Sequence, residues 1–369
     1  MKAISLKPGT TDLALVEKEE PIVKEPTQVK VKVLQVGICG TDREEASGGR
    51  ADAPPGESRL TLGHEMLGVV TEIGKDVGDI KVGDYGLFTV RRGCGKCPAC
   101  LNDRSDMCLT GDYTERGIKA LDGFQSHYVV DEERYFVKVP ESIKDIGVLT
   151  EPMSVAAKAI DEALIVQKAR FSGFEDTSLW MKGKKALIGG VGAVGLLAAF
   201  ALRLRGAEVY GLDIVDENNL RPQILKEIGG MYIDGRNTQT TDLDEKFGEV
   251  DFIFEAAGFA PLQIELIDAL GTNGIYVSTG IPGGNRPIEL NGAELMRQLV
   301  LKNQVVLGSV NASPEHFKIA VSDLEAASRK WPQAIRKMIT EKIPYSEFKT
   351  ALKASTDEIK VVVEWDVTA

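Results

Sequence analysis

Four of the chain's five cysteines lie in one short segment, GCGKCPACLNDRSDMC. Cys94, Cys97, Cys100 and Cys108 follow the spacing C-x2-C-x2-C-x7-C. Thiolates this close in sequence can wrap around a single tetrahedral zinc ion. Because four sulfur ligands leave no coordination position for water or substrate, the segment predicts a structural zinc site.

Two alternatives exist for these four cysteines, namely disulfide bonds and an iron–sulfur cluster. An odd total of five cysteines, four of them crowded into fifteen residues, is more typical of metal binding than of disulfides in a cytosolic protein. Iron–sulfur clusters usually take other spacings. Zinc is therefore favoured, and both alternatives stay open at this point.

A second set of potential ligands is spread along the chain. Cys39 follows a predicted strand in VGICGTD, His64 and Glu65 lie in LGHEMLG, and Glu151 lies in LTEPMSV. A mixed set of cysteine, histidine and carboxylate ligands can leave one position open, where zinc acts as a Lewis acid on a hydroxyl group. A lone cysteine or histidine is more often an ordinary core residue, so spacing alone does not decide between the two interpretations.

A glycine-rich turn marks a third candidate site. Residues Gly190, Val191, Gly192, Ala193, Val194 and Gly195 form G-x-G-x-x-G between an apolar strand and a helix without proline. In this setting the first glycine makes the tight turn, the second admits a pyrophosphate, and the third lets the helix pack on the strand. The helix N-terminus adds unpaired N–H groups and a partial positive charge. The motif predicts a dinucleotide site; a purely structural turn is the alternative.

Asp213 ends the next predicted strand, AEVYGLD. A carboxylate at this position can accept both ribose hydroxyls of NAD and repels the additional phosphate of NADP. Arg221 is the nearest downstream arginine and could support NADP only by folding back. We therefore expect NAD to be preferred, with NADP still allowed.

The elements that position these residues change character along the chain. TQVKVKVLQVG alternates Val29, Val31 and Val33 with lysines, which predicts a half-buried strand. Further short strands and turns follow, as in an antiparallel barrel or sandwich. The two remaining histidines are predicted in a strand (His127) and on an exposed helix face (His316).

After a predicted helix over residues 151–168, apolar strands alternate with helix-sized segments. This alternation predicts an α/β fold with a parallel sheet covered on both faces. The length of 369 residues suits two domains, and the net charge of -11 argues against nucleic-acid binding. The sequence has no apolar run of about 18 residues and no signal-peptide core, so we expect a cytoplasmic protein without membrane partners.

The sequence resembles the zinc-dependent medium-chain dehydrogenase/reductases. The motifs that carry this resemblance are, in chain order, GICGTD, LGHEMLG, the four-cysteine segment and GGVGAVG. The sequence also resembles the glucose 1-dehydrogenase branch, whose members oxidise aldoses at C1. The stretches that carry this resemblance are VRRGCGKC, GDYTERGIKALDGF, LTEP, GSVNASPEHF and DEIKVVVEW. The resemblance implies a GroES-like β-rich catalytic domain with both zinc sites (residues 1–155 and 312–369) and a Rossmann domain (residues 156–311). It also implies a homo-oligomer, either a dimer or a tetramer.

The same resemblance implies roles for individual residues. The catalytic zinc would be bound by Cys39, His64, Glu65 and Glu151. Related branches use only the histidine of LGHEMLG as a ligand, so direct zinc binding by Glu65 stays open. Thr41 matches the position that contacts the reacting hydroxyl and passes on its proton. The implied sugar contacts are Thr41, Glu115, Glu151 and Asn311, and the implied nicotinamide-facing positions are Ser278, Thr279, Gly280, Ser309, Val310 and Asn311.

Two departures from the branch pattern concern the sugar. Val90 and Leu301 stand where a branch member has asparagine and histidine, and both changes remove hydrogen-bonding partners, which weakens discrimination between epimers. The expected reaction is NAD(P)-dependent oxidation of an aldose, D-glucose to D-glucono-1,5-lactone, with D-galactose or D-xylose as further substrates. The alternatives are a polyol or secondary-alcohol dehydrogenase and a non-catalytic sensor that binds zinc and nucleotide.

Overall fold

The computed structural model describes residues 1–171, 177–285 and 287–366. The chain divides into two compact units. Unit 1 comprises Met1–Ser154, Asn311–Glu325 and Met338–Ala369, and unit 2 comprises Val155–Val310 and Ala326–Lys337.

These units differ from the predicted domain ranges in the segment Ala326–Lys337, which was placed in the first domain and packs with unit 2. Trp331 lies against Phe200, with ring centroids 6.0 Å apart. Lys337 pairs with Glu227 at 2.6 Å. Both contacts join residues far apart in sequence, so the local pattern could not reveal them.

The strands follow one another in chain order. The first eleven are β1 (Lys2–Leu6), β2 (Leu13–Glu17), β3 (Gln28–Ile38), β4 (Leu60–Thr61), β5 (Glu65–Ile73), β6 (Tyr85–Phe88), β7 (Arg91–Arg92), β8 (Thr114–Arg116), β9 (Ala120–Leu121), β10 (Tyr128–Glu132) and β11 (Phe136–Lys138). The next six are β12 (Lys185–Gly189), β13 (Glu208–Asp213), β14 (Met231–Asp234), β15 (Val250–Glu255), β16 (Leu270–Ser278) and β17 (Val305–Gly308). Two more, β18 (Ile339–Pro344) and β19 (Lys360–Glu364), return to unit 1.

Among the described residues, the longest helix wholly within unit 1 has seven residues and the longest wholly within unit 2 has twelve. The helices are α1 (Gly40–Ala46), α2 (Pro98–Leu101), α3 (Thr150–Arg170), α4 (Ala193–Leu204), α5 (Leu220–Glu227), α6 (Leu243–Phe247), α7 (Ala260–Glu265), α8 (Gly292–Leu301), α9 (Pro314–Lys330), α10 (Pro332–Arg336) and α11 (Phe348–Ala351). Across residues 1–171, 177–285 and 287–366, no helix combines the length and apolar character needed to cross a bilayer.

Unit 1 is built on a sheet with the path β11-β6-β5-β3-β19-β18, to which β10 adds by pairing with β3. Strand β3 pairs antiparallel with β5, β10 and β19. Val29, Val31 and Val33 of β3 are fully buried, as their alternation predicts. The predicted antiparallel, β-rich character of this part of the chain is confirmed.

Unit 2 contains a parallel sheet with the order β14-β13-β12-β15-β16-β17. The order reverses between β12 and β15, the point at which doubly wound sheets bind their ligands, outside the carboxyl ends of the strands. The predicted strand before the glycine motif is β12 and the predicted helix after it is α4. The α/β class is therefore confirmed.

The two histidines outside the candidate sites differ from their predictions. His127 lies one residue before β10, and its Nδ1 accepts a hydrogen bond from the Lys2 amide at 3.2 Å. The predicted exposure of His316 is wrong, since only 3% of the residue is exposed. Its Nδ1 accepts a hydrogen bond from the Ser313 amide at 3.2 Å and lies 2.9 Å from the Ser313 hydroxyl. These two contacts turn the ring inward at the start of α9.

Candidate active site and metal centres

Cys39 is the residue that caps helix α1. It has extended backbone angles, and its Sγ accepts a hydrogen bond from the Thr41 amide at 3.2 Å. In return, the Asp42 carboxylate accepts a hydrogen bond from the Cys39 amide at 2.9 Å. The sequence C-G-T-D therefore forms a capping box in which a thiol replaces the usual hydroxyl, and this fixes the direction of the sulfur.

The pairing of two strands brings Cys39 to His64. The end of β3 lies opposite the start of β5, with Gly37 aligned with Glu65. Cys39 follows β3 and His64 precedes β5, so Cys39 Sγ and His64 Nε2 are 3.1 Å apart. One ligand atom from each of Cys39, His64 and Glu65 lies within 4.8 Å of the others. A Cβ atom on Gly37 would collide with the Glu65 carboxylate, which explains the glycine.

Charge and burial shape the proton affinities in this cluster. Burial raises the pKa of the Cys39 thiol. Burial alone would lower the pKa of His64, but the negative charges of Cys39 and Asp42 outweigh it and hold that pKa well above its usual range. The Asp42 carboxylate lies 3.8 Å from His64 Nδ1. The ring has Nε2 toward Cys39 and Nδ1 toward Asp42, an orientation in which the neutral imidazole could bind a metal through Nε2.

Glu65 is held by a residue that sequence reasoning missed, Lys360 of β19. Its Nζ lies 2.8 and 2.6 Å from the two Glu65 oxygens and 3.2 Å from the Ile38 carbonyl oxygen. Each residue of the pair is only 2% exposed. The available signal was the lysine within the apolar run IKVVVEW, because a buried lysine needs a partner.

Glu151 lies in the first turn of α3 and is 8% exposed. Burial raises its pKa to about 7, the nearby His64 charge opposes this shift, and Glu65 adds to it. Among the described residues, the compact ligand group contains Cys39, His64 and Glu65 but not Glu151. Thr41, the expected proton carrier, is half-buried in α1, two residues beyond Cys39.

The four remaining cysteines, in the segment 93–108 that we call the cysteine lobe, lie close together. The sulfur atoms of Cys94, Cys97, Cys100 and Cys108 all lie within 4.8 Å of one another, and none is in a disulfide. The distance between Cys94 Sγ and Cys100 Sγ is 3.9 Å, close to the ~3.8 Å expected for two ligands of tetrahedral zinc with Zn–S bonds of ~2.3 Å. A Cβ atom on Gly93 would lie 2.4 Å from Cys100 Sγ, so only glycine lets the sulfur approach.

The expected sugar contacts Glu115 and Asn311 meet in unit 1. Asn311 Nδ2 donates to Glu115 Oε1 at 2.8 Å, although the two residues are distant in sequence. Asn311 has a φ of 62°, a left-handed conformation that asparagine tolerates. Sequence reasoning missed Arg91, which donates to Glu115 Oε1 from Nε at 3.0 Å and from Nη2 at 2.9 Å.

In unit 2 the glycine motif has the geometry that its sequence predicts. Gly190 has a φ of 90°, and a Cβ there would lie 2.8 Å from the Ala257 amide nitrogen. Gly192 caps α4 and, in the described part of the chain, has open space where a Cβ would point. Asp213 accepts the Val191 amide at 2.8 Å, so this carboxylate also braces the glycine turn.

The remaining expected cofactor positions lie where strands β16 and β17 end. Ser278 ends β16, with Thr279 and Gly280 directly after it, while Ser309 and Val310 follow β17. Ser309 is buried and Val310 is half exposed. A cavity of about 520 Å³ is lined by Leu212 and Ile214, the chain neighbours of Asp213, and by residues including Gly235, Thr240 and Leu262.

Comparison with known proteins identifies the family. Residues 144–365 match the family described as glucose dehydrogenase C-terminus, and residues 25–141 match the alcohol dehydrogenase GroES-like domain. The chain belongs to the glucose dehydrogenase family. The glucose dehydrogenase match covers more than half of the chain, and the GroES-like match lies within unit 1. The resemblance noted from the motifs is thus confirmed.

Individual glucose dehydrogenases are similar over their full lengths. The chain is 34% identical to a glucose 1-dehydrogenase of Methanocella arvoryzae and 37% identical to glucose 1-dehydrogenase 2 of Vulcanisaeta moutnovskia, in each case over 366 residues and 99% of both chains. The structure of Haloferax mediterranei glucose dehydrogenase in complex with NADP, Zn and gluconolactone matches with a TM-score of 0.89 at 32% identity, covering 100% of both chains. A GroES-like domain with a nucleotide-binding parallel sheet is therefore the architecture of this family member.

Proposed function

We propose that this chain is a zinc-dependent glucose 1-dehydrogenase that oxidises D-glucose to D-glucono-1,5-lactone with a nicotinamide cofactor. The observation that carries the proposal is the meeting of Cys39 Sγ and His64 Nε2 at 3.1 Å, beside two buried carboxylates. The Haloferax relative, whose complex holds NADP, Zn and gluconolactone, supports the same chemistry.

The donor set fits zinc. Cys39 and His64 supply sulfur and nitrogen, and Glu65 and Glu151 supply carboxylate oxygens, all ligand types that zinc accepts. Glu65 is also anchored by Lys360, so we expect it to bind less firmly than Cys39 and His64. Zinc held there supplies a Lewis acid that lowers the pKa of a sugar hydroxyl.

The chain's own groups then orient the sugar and carry the proton. Thr41 accepts the proton of the C1 hydroxyl and passes it toward solvent, while hydride leaves C1 for the nicotinamide ring. Glu115 and Asn311 bind ring hydroxyls, and Arg91 keeps the Glu115 carboxylate in place. Such orientation can contribute about 7 kcal/mol in the best cases.

The four sulfur atoms of the cysteine lobe are proposed to bind a second, structural zinc. Thr110 and the Lys96 amide lower the pKa of Cys94 to about 6, whereas burial raises the pKa of Cys100 to about 12; a bound zinc would hold all four sulfur atoms as thiolates. Four ligands close the coordination shell, and this zinc takes no part in the reaction.

For the cofactor, residues 190–195 are proposed to bind the pyrophosphate and Asp213 the adenosine ribose. The proposed nicotinamide contacts are Ser278, Thr279, Gly280, Ser309, Val310 and Asn311. The open space beside Gly192 and the cavity lined by Leu212 and Ile214, on either side of Asp213 in the chain, support this assignment. We propose that Asp213 favours NAD, in contrast to the NADP held by the Haloferax relative.

Initial rates with NAD and NADP against glucose, galactose, xylose and sorbitol test this proposal. Activity with cyclic aldoses and none with sorbitol supports a glucose 1-dehydrogenase. Val90 and Leu301 have aliphatic side chains and cannot hydrogen-bond to the sugar, so we expect galactose or xylose to react as well. Sorbitol oxidation without aldose oxidation would identify a polyol dehydrogenase, and no turnover at all would leave only the sensor.

We also infer a cytoplasmic homo-oligomer. None of the five cysteines forms a disulfide, which suits a reducing compartment. Strand β17 is at the edge of the unit 2 sheet. Two apolar side chains there are exposed, Val306 of β17 (45%) and Val300 of α8 (69%). An open strand edge with apolar neighbours is a template for pairing with a second copy. Light scattering after size-exclusion chromatography should find a dimer or tetramer, and a monomer at micromolar concentration would contradict this inference.

A further inference from the structure

Glu255 lies at the central ligand-binding point of the unit 2 sheet. It is the last residue of β15, and it pairs with Gly189 of β12 on one side and Ser278 of β16 on the other. Strands β12 and β15 flank the position where the strand order reverses. In sheets of this type the ligand binds outside the carboxyl ends of those strands. Neither the motifs nor the proposed mechanism gives this residue a role.

The Glu255 side chain is fully buried and accepts four hydrogen bonds. Oε1 accepts the amides of Ala257 and Gly258, both at 2.8 Å. Oε2 accepts Gln263 Nε2 at 2.7 Å and the Ser278 hydroxyl at 3.2 Å. An ionised carboxylate only accepts hydrogen bonds, so four converging donors match its charged form.

These four donors are all neutral. Within residues 1–171, 177–285 and 287–366, Glu255 forms no ion pair with a lysine, arginine or histidine. Glu65, one of the buried carboxylates of unit 1, instead has both oxygens on the Lys360 ammonium. A buried charge without a counter-ion is costly, so its presence at a ligand-binding point suggests that the ligand provides the opposite charge.

The position of the carboxylate connects it to the nicotinamide end of the proposed cofactor site. A Cβ atom on Gly280 would lie 2.8 Å from Glu255 Oε2, so the carboxylate lies directly against the Gly280 backbone. The Glu255 carbonyl oxygen also accepts the Thr279 amide at 2.9 Å. Thr279 and Gly280 are two of the expected nicotinamide-facing residues.

We propose that Glu255 supplies a fixed negative charge that favours the oxidised nicotinamide ring, which is positively charged, over the neutral reduced ring. The inference rests on the proposed function, since it requires a nicotinamide cofactor at the strand ends. Glu255 is thus an electrostatic positioning residue: it favours binding of the oxidised cofactor and release of the reduced one. Two unit charges about 10 Å apart at an effective dielectric constant of about 20 change affinity about tenfold.

The test measures the dissociation constants of NAD+ and NADH in the absence of sugar, by calorimetry or protein fluorescence. The variant Glu255→Gln removes the charge and preserves the size of the side chain. The control Gln263→Ala removes one donor to the same carboxylate and keeps the charge. NADP+ and NADPH are measured in the same way.

We expect Glu255→Gln to raise the dissociation constant of the oxidised cofactor about tenfold and to change that of the reduced cofactor less than about twofold. Gln263→Ala should change both constants in the same proportion. Equally weakened binding of both cofactors in Glu255→Gln would overturn the inference. A changed ratio of the two dissociation constants in Gln263→Ala would also overturn it. If Glu255→Gln does not fold, the double variant Glu255→Gln with Gln263→Glu restores a carboxylate to the cluster and must keep the wild-type ratio. Failure of every cofactor to bind the wild-type protein would instead contradict the proposed function.

Discussion

The two candidate metal centres of unit 1 are built in opposite ways. The cysteine lobe takes all its sulfur atoms from one continuous segment, and three of its four cysteines are half-buried. The Cys39 centre takes its groups from the end of β3, the start of β5 and the start of α3, and it is supported by Lys360 of β19. The first centre depends on a local loop, whereas the second depends on the whole sheet.

This difference separates structural from chemical roles. Four thiolates complete a tetrahedron and leave no position for substrate. The Cys39 centre combines sulfur, nitrogen and carboxylate groups, and charged neighbours such as Asp42 and Lys360 adjust it from outside. Chemistry requires such outside support, because the ligands of a reactive metal must be held while one position stays open.

The cysteine lobe is nevertheless not remote from the substrate contacts. Arg91 Nη1 donates to the Asp106 carbonyl oxygen in the lobe at 2.6 Å. The same guanidinium holds Glu115, which in turn contacts Asn311. Arg91 is 8% exposed and therefore forms a buried link between the lobe and the proposed sugar contacts. Loss of the structural metal should consequently affect stability first and sugar affinity second.

The largest effect is expected from Cys39→Ser. Removal of this ligand should lower turnover about a hundredfold to a thousandfold, because a Lewis acid contributes several kcal/mol to the barrier. The melting temperature should stay near that of the wild type. Steady-state rates and a thermal melt on the same preparation check both statements, and full activity would refute the zinc mechanism.

Lys360→Met should have the next largest effect, on stability. It leaves the Glu65 carboxylate buried without its counter-ion, a change that costs about 3–5 kcal/mol. Urea unfolding measures this loss. The double variant Lys360→Met with Glu65→Gln removes both charges and should recover most of the stability; a double variant as unstable as the single one would show that the ion pair is not the cause.

Cys97→Ser should destabilise the cysteine lobe by about 3 kcal/mol, which lowers the melting temperature by roughly 10 °C. Turnover measured below the melting transition should fall much less than in Cys39→Ser. A chelator should reduce the melting temperature of the wild type more than that of this variant. The opposite pattern, with lost turnover and unchanged melting, would reverse the roles of the two centres.

The smallest effect is expected from Glu115→Gln. The variant loses a charged hydrogen-bond partner of Arg91 and should raise KM for the aldose about tenfold, with a smaller change in kcat. The KM for the cofactor should not change. Glu141→Gln, at an exposed carboxylate of unit 1, serves as the control. An unchanged KM for the aldose would remove Glu115 from the sugar contacts.

Features that depend on residues close together in the sequence could be predicted, whereas features that depend on contacts between distant segments could not. The four cysteines of the lobe and the turn at Gly190 are set by neighbouring residues, so their spacing was sufficient. The ion pair between Glu65 and Lys360 depends on strand register across the chain; the apolar run IKVVVEW marks the lysine as buried but does not identify its partner. The inward turn of His316 is settled by packing, which helix periodicity alone does not determine.

Stepwise removal of zinc from the wild-type protein tests the central claim most directly. Zinc per chain, glucose oxidation and melting temperature are followed together as a chelator is titrated. Two separable zinc populations are expected, one whose loss abolishes turnover with little change in melting temperature and one whose loss lowers the melting temperature. A single population whose loss changes both together, or turnover that persists in zinc-free protein, would contradict that claim.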